Sequence, residues 1–437
     1  MGKRALTIFK LIVSILIGSG ITFVLVLATL DVLRYGIFDF DFILFGILYV
    51  SLITFFILLN IKKSKLIFLL LLVPALCILD FLGVAPVFTR TFFESKNSFT
   101  WERFGRGVEI TEYTGNNTTV RIPPRIQQYS VRKIGDYAFS NRGLTRIVIP
   151  NSHLSIGRYA FANNNLTRVN IPNGINSILR GAFQHNLLTE VTLSPNLPVI
   201  REYSFANNQL TSIDIPHGVR IIWDSAFAHN QLTSITIPDS VTTIRQSAFA
   251  DNQLTSIVIP ESVIDIWPGA FWNNRLTELV IPSGITEIWY SAFSVNRLTS
   301  LTIPAGVTTI HASAFLNNRL TSLEIPDSVR YIGEWAFAMN NLASVTIPPG
   351  VTKIGAMAFA ANQLTSVSIP DSVLTIGRDA FGVRRGIFRL THVSIGSNVS
   401  IDSGGGFDFG FAEFYESQGR RAGNYVHRDG IWTVEFR

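Results

Sequence analysis

Apolar positions in this chain follow two different patterns. From about residue 133 they recur in fixed register every 22 residues: phenylalanine stands at 139, 161, 183, 205, 227, 249, 271, 293, 315, 337, 359 and 381. The position five residues earlier is isoleucine in every copy, from Ile134 to Ile376. Self-similarity at a fixed period of this length marks a solenoid of stacked coils. In the coil that ends at Pro260, Leu254, Ile257 and Ile259 read as a short Leu-x-x-Ile-x-Ile strand. Proline follows in ten of the twelve copies, and having no N–H for a ladder it ends the strand. Turn pairs such as Asp239-Ser240 and Ser283-Gly284 come next, then a second apolar pair (Val263 and Ile266). Ala270-Phe271 completes the unit on an expected single helical turn.

One such coil cannot bury six large apolar side chains by itself. Stacked on identical neighbours it can, because each inward side chain sits over its own copy. At roughly 4.8 Å per coil, the stack predicts a rod on the order of 55–60 Å long. Asparagine stands three residues after the phenylalanine in ten copies, from Asn164 to Asn362. A polar residue locked to a core register is expected to hydrogen-bond the backbone of the turn.

The unit Leu-Thr-Ser-Ile-x-Ile-Pro-Asp-Ser-Val-x-x-Ile-x-x-x-Ala-Phe-x-x-Asn resembles the BspA-type leucine-rich repeat, a class of bacterial surface antigens also described from treponemes. The resemblance covers about residues 98 to 437. It implies a right-handed leucine-rich-repeat solenoid of 12 coils, with a parallel sheet on one face and short helical turns opposite. It also implies extracytoplasmic protein binding or adhesion, an analogy only, since fold does not fix function.

The second apolar pattern lies in residues 1–87 and is continuous rather than periodic. Residues 11–30 and 42–61 carry no charge, and 66–87 are interrupted only by Pro74 and Asp80. About 20 apolar residues suffice to cross a bilayer as helix, so three transmembrane helices are expected. Lys3, Arg4 and Lys10 precede the first run, and Lys62, Lys63 and Lys65 separate the second from the third. By the positive-inside rule the amino terminus is then cytoplasmic and the repeats extracytoplasmic, in a multi-pass protein of the bacterial inner membrane. A cleaved signal peptide is the rival reading of the first run, but the run is long and no small-residue cleavage site follows it. Asp80 reads either as an ion-handling group or as an acid near the outer interface.

The expected organisation is therefore a membrane anchor (1–87), a linker and β cap (88–132), the solenoid (133–403) and a β-hairpin cap (404–437). The last unit, from Phe411 to Phe436, reads as antiparallel, with turns at Gln418-Gly419 and Asp429-Gly430. The twelfth coil breaks register at residues 383–389, where Arg384, Arg385 and Arg389 form either a contact loop or an adapter to the cap.

Charge changes the picture little. Lys and Arg total 36 and Asp and Glu 30; the first 87 residues hold seven and four of these, which leaves 29 and 26, a net of +3. That is not the clustered charge of a nucleic-acid binder. Cys77 is the sole cysteine, so no disulfide framework exists. His185 and His229 share a column two coils apart, roughly 10 Å, too far for one metal. No phosphate loop, zinc motif or nucleophile–base arrangement is present, so neither enzyme activity nor a cofactor is expected.

Two surfaces stand out as candidate partner sites. The position after the invariant isoleucine reads Trp223, Arg245, Trp267, Trp289 and His311 in the middle coils, with Tyr290 beside it. Register neighbours lie one strand spacing apart, so Arg245 is expected between two indoles. This column is either a contact patch for a protein ligand, extracellular or periplasmic, or a cover for the turn. The outward strand columns are mostly Ser and Thr, a generic binding sheet or, remotely, a water-ordering array. Adhesion or surface recognition is the leading role, and an envelope scaffold or sensor of an inner-membrane system the alternative.

Overall fold

The computed structural model describes residues 98–382, 390–397, 399–402 and 410–436, with Phe436 in backbone only. The chain divides into two compact units, Met1–Thr91 and Phe92–Arg437, and the described residues belong to the second.

The invariant isoleucines form parallel ladders in strict register. Ile110, Ile134, Ile156 and Ile178 pair in turn, as do Ile200, Ile222, Ile244 and Ile266. A third run joins Ile288, Ile310, Ile332, Ile354, Ile376 and Ile401. The Leu-x-x-Ile-x-Ile strands pair in shorter groups, such as Glu278–Val280 with Ser300–Thr302, and Ser344–Thr346 with Ser366–Ile369 and His392–Ile395. Single bridges alone join Asp214, Thr236 and Val258. The expected sheet on one face is thus corrected: pairing runs along both columns, and the isoleucine column is the more continuous. The strand face is limited by its own sequence, because each strand is about three residues long and proline after it has no donor.

The expected helical turn is also corrected. Ser247 and Asp251, two residues either side of Phe249, both have left-handed backbone, with φ of 54°. Such residues interrupt a right-handed helix. They turn alternate N–H groups along the stack instead. Ser247, Phe249 and Asp251 donate to the carbonyls of Pro268, Ala270 and Trp272 in the next coil, at 3.0, 2.9 and 3.0 Å. The same pattern begins with Tyr137, Phe139 and Asn141.

Inside, the phenylalanine column is fully buried and stacked. Phe205 to Phe227 measures 5.7 Å between ring centres and Phe227 to Phe249 5.6 Å, with planes within 9° and 6°. The column continues past Phe139 into Tyr113, 5.5 Å away and nearly parallel, and Phe99 packs on Tyr113. Tyr113 N–H donates to Ala138 as the phenylalanines from Phe139 to Phe359 do to the next coil, so the solenoid has about thirteen turns and not twelve.

Between the columns, asparagine ties the coils together. Asn252 Oδ1 accepts from Leu232 N–H at 3.0 Å, while its Nδ2 donates to the carbonyls of Phe227 and Phe249 at 3.0 and 3.2 Å. Asn164 and Asn362 at the two ends make the same bonds.

Both ends of the stack are closed by antiparallel pairing. Phe99–Phe104 lies on Gly107–Tyr113, and Gly423–Arg428 joins His392–Ile395 to Ile431–Phe436. Asp429 and Gly430 have φ of 51° and 81°, as a two-residue hairpin turn needs. Phe411–Ser417 is helical rather than extended, because Phe411, Ala412 and Tyr415 share the face that packs inward. Tyr415 O–H donates to Gly396 O at 2.7 Å and its oxygen accepts from Val399 N–H at 3.3 Å.

The membrane expectation is corrected as well. Among the described residues no helix is long and apolar enough to cross a membrane, and the one helix is Phe411–Ser417. Apolar length marks a candidate span, but spanning also requires a helix that closes its own backbone hydrogen bonds. Over the described residues the fold is accordingly a capped solenoid with no membrane-spanning helix, and the multi-pass inner-membrane placement is withdrawn. The runs at 11–30, 42–61 and 66–87, with Asp80, lie outside the described residues.

Candidate functional site

The post-isoleucine column is built on main-chain bonds. Trp223, Arg245, Trp267 and His311 donate their N–H groups to Ile200, Ile222, Ile244 and Ile288 of the preceding coil at 2.8 to 2.9 Å. Side chains at 22-residue spacing are thereby held one above the next. Arg245 Cζ lies 4.7 Å from the Trp223 ring centre and 3.8 Å from that of Trp267. Trp267 and Trp289 follow at 6.5 Å with planes 23° apart, and His311 stacks on Trp289 at 4.6 Å and 4°. Tyr290 leans on the end of the ladder, 4.8 Å from His311, and is 49% exposed. The other members are half-buried.

Carboxylates hold the polar atoms of the ladder. Arg245 Nε meets Asp224 Oδ1 at 3.3 Å, Trp267 Nε1 donates to Asp265 Oδ2 at 2.6 Å, and His311 Nε2 lies 2.8 Å from Glu287 Oε2. Trp223 Nε1 is buried without a protein partner. Ile221 stands where Asp265 serves Trp267, so this coil offers no acceptor. Each cation–π contact at a half-exposed site is worth about 0.5–1 kcal/mol. The ladder is thus rigid more than it is strong.

The structure therefore brings together six of the residues singled out from sequence. Arg384, Arg385 and Arg389 lie outside the described residues. Arg201, with Cζ 5.4 Å from the Trp223 ring, extends the ladder by one coil and was not anticipated. Its signal was available, because it occupies the same column. Asp224, Asp265 and Glu287 were also missed, since their flanking columns are not uniform in residue type.

The strand face is less regular. Arg168 and Glu190 form an ion pair at 3.5 Å, and Val258 and Val280 are 82% and 65% exposed. These interrupt the hydroxyl columns and disfavour a water-ordering array. Among the described residues no group of three or more His, Cys, Asp or Glu is placed to hold a metal ion.

The chain matches the family described as BspA type leucine rich repeat region over residues 112–231, 220–340 and 265–388. No curated protein matches it. A leucine-rich cell surface protein from Faecalibacterium prausnitzii is 28% identical, with 71% of this chain and 98% of that chain covered and a TM-score of 0.49. A leucine-rich repeat protein from Bacteroides ovatus is 23% identical, with 73% and 99% covered and a TM-score of 0.44. For the pneumococcal vaccine antigen PcpA the identity is 18%, the coverage 70% and 87%, and the TM-score 0.43. None of these likenesses carries functional detail to this chain.

Proposed function

The chain belongs to the BspA-type leucine-rich repeat family, and we propose that it is a binding protein that engages a protein partner through the ladder from Arg201 to His311. The observation that carries this reading is Arg245 held between two indoles on a half-exposed face. Tryptophan, tyrosine and arginine are the side chains that most often dominate protein interfaces. Here they are already stacked and anchored by carboxylates, so little rotamer freedom is lost on binding. Recognition of a protein on a neighbouring surface, as in adhesion, is the role this geometry suits. Repeat columns given over to packing favour binding or scaffolding over catalysis.

The test compares the full chain with its Trp267→Ala/Trp289→Ala variant, both immobilised and exposed to purified cell-surface proteins. A partner captured by the parent chain should be lost from the variant while the unfolding transition stays cooperative. Equal capture by a folded variant overturns the ladder as the site. A Val258→Ser/Val280→Ser variant tests the rival strand face, and on the proposed reading it captures the partner normally.

A further inference from the structure

The ladder column changes character after His311. The next three members are Gly333, Gly355 and Gly377, and Asp402 follows them after Ile401. A Cβ at Gly333 would meet Ala312 N at 2.6 Å, and one at Gly355 would meet Glu334 N at 2.5 Å. Gly377 faces Ala356 N in the same way. These are main-chain atoms, so a side chain here would have to push neighbouring coils apart. A trough of about 290 Å³ opens instead, floored by Gly355 and Gly377 and lined by Tyr331, Lys353, Glu334 and Asp402. That volume sits at the small end of ligand sites and suits one flat group rather than a folded ligand.

We propose that this trough binds the guanidinium group of an arginine side chain presented by a peptide or protein. The chain shows the same chemistry twice within itself. Arg245 lies against indole faces with its Nε on Asp224, and Arg180 lies 5.1 Å from the Tyr203 ring while its Nε donates to Tyr159 Oη at 3.0 Å. In the trough Tyr331 supplies the ring, and Glu334 and Asp402 supply carboxylates for a planar two-pronged donor. Lys353 Nζ already stands 5.7 Å from the centre of the Tyr331 ring, so that face accepts a cation. Two acids against one lysine leave the lining with a net negative charge. Glu334 Oε1 accepts from Trp335 Nε1 at 3.2 Å, and a carboxylate has further acceptor positions free for an incoming donor. Arg378 nearby is taken up by Asp379, 3.2 Å away.

The site is separate from the ladder and does not depend on its being an interface. The test titrates the full chain with an end-capped Gly-Arg-Gly peptide, and with its citrulline counterpart, which has the same shape without the charge. Saturable binding of the arginine peptide is expected, with the citrulline peptide weaker by at least about tenfold, the equivalent of about 1.4 kcal/mol. Glu334→Gln with Asp402→Asn should weaken arginine binding by at least about tenfold, and Lys353→Met should tighten it by a few-fold through loss of a like charge. The Trp267→Ala/Trp289→Ala variant should bind the peptide as the parent does. Absence of saturable binding, equal affinity for citrulline, no loss in the acid variant, or loss in the ladder variant each overturns the assignment.

Discussion

Arg245 Cζ stands 3.8 Å from the centre of the Trp267 ring, and Arg245 Nε stands 3.3 Å from Asp224 Oδ1. A flat cation is thus gripped by a ring on one coil and an acid on another, and the coils are bound to each other through side chains as well as main chain. Arg245→Lys keeps the charge but not the flat, forked shape. It is expected to lower stability by about 0.5–1 kcal/mol, read from urea unfolding. A midpoint equal to that of the parent would show that the ladder contributes nothing to the fold.

A larger loss is expected at the asparagine column. Asn252→Ala leaves the buried Leu232 N–H without its partner, while the Phe227 and Phe249 carbonyls keep Asn230 and Asn274 as donors. A buried donor left unpaired costs about 1–3 kcal/mol, and a loss of that size should appear in the same assay. The exposed neighbour Gln231 provides the contrast, and Gln231→Ala should stay within about 0.5 kcal/mol of the parent.

Two glycines separate crowding from convenience. Gly355→Ala drives a methyl group to 2.5 Å from Glu334 N, whereas at Gly306 the nearest atom, Ser283 O, is 3.4 Å away. Gly355→Ala is expected to cost about 1–3 kcal/mol, as overpacking does. Gly306→Ala should be neutral or slightly stabilising by about 0.4–1 kcal/mol, because it restricts only the unfolded chain. Equal unfolding midpoints for the two variants would contradict the close approach of the coils at Gly355.

Alkaline pH should loosen the closing cap. Burial, reinforced by Tyr415, pushes the Tyr425 phenol up to about 12, and burial also raises Tyr415. The folded state therefore keeps a proton that the unfolded chain surrenders near pH ~10. The stabilisation is complete below that pH and is lost as pH rises from about 10 towards 12. Unfolding midpoints across this range should fall, and Tyr425→Phe should make the fall shallower. An unaltered slope in the variant would assign the alkaline loss to other groups.

The 22-residue register alone specified which side chains stack. Once Ile244, Phe249 and Asn252 recur at one spacing, each must lie over its own copy, because only stacking removes such a coil's apolar surface from water. The same register placed Arg245 between Trp223 and Trp267. Backbone conformation was not legible in this way. Ala248-Phe249 suits one helical turn as well as it suits the observed turn, and the choice falls to the left-handed form because alternate N–H groups then meet carbonyls of the next coil. Tyr113 was hidden for a related reason: it lies 26 residues before Phe139, outside the 22-residue interval, and only the stacking of the two rings shows that it belongs to the column. The acids that orient the ladder, and the trough floored by Gly355 and Gly377, are likewise properties of neighbouring coils. A one-dimensional repeat decides what lies above what; how closely two coils approach, and which polar groups that approach must satisfy, is decided only when they are in contact.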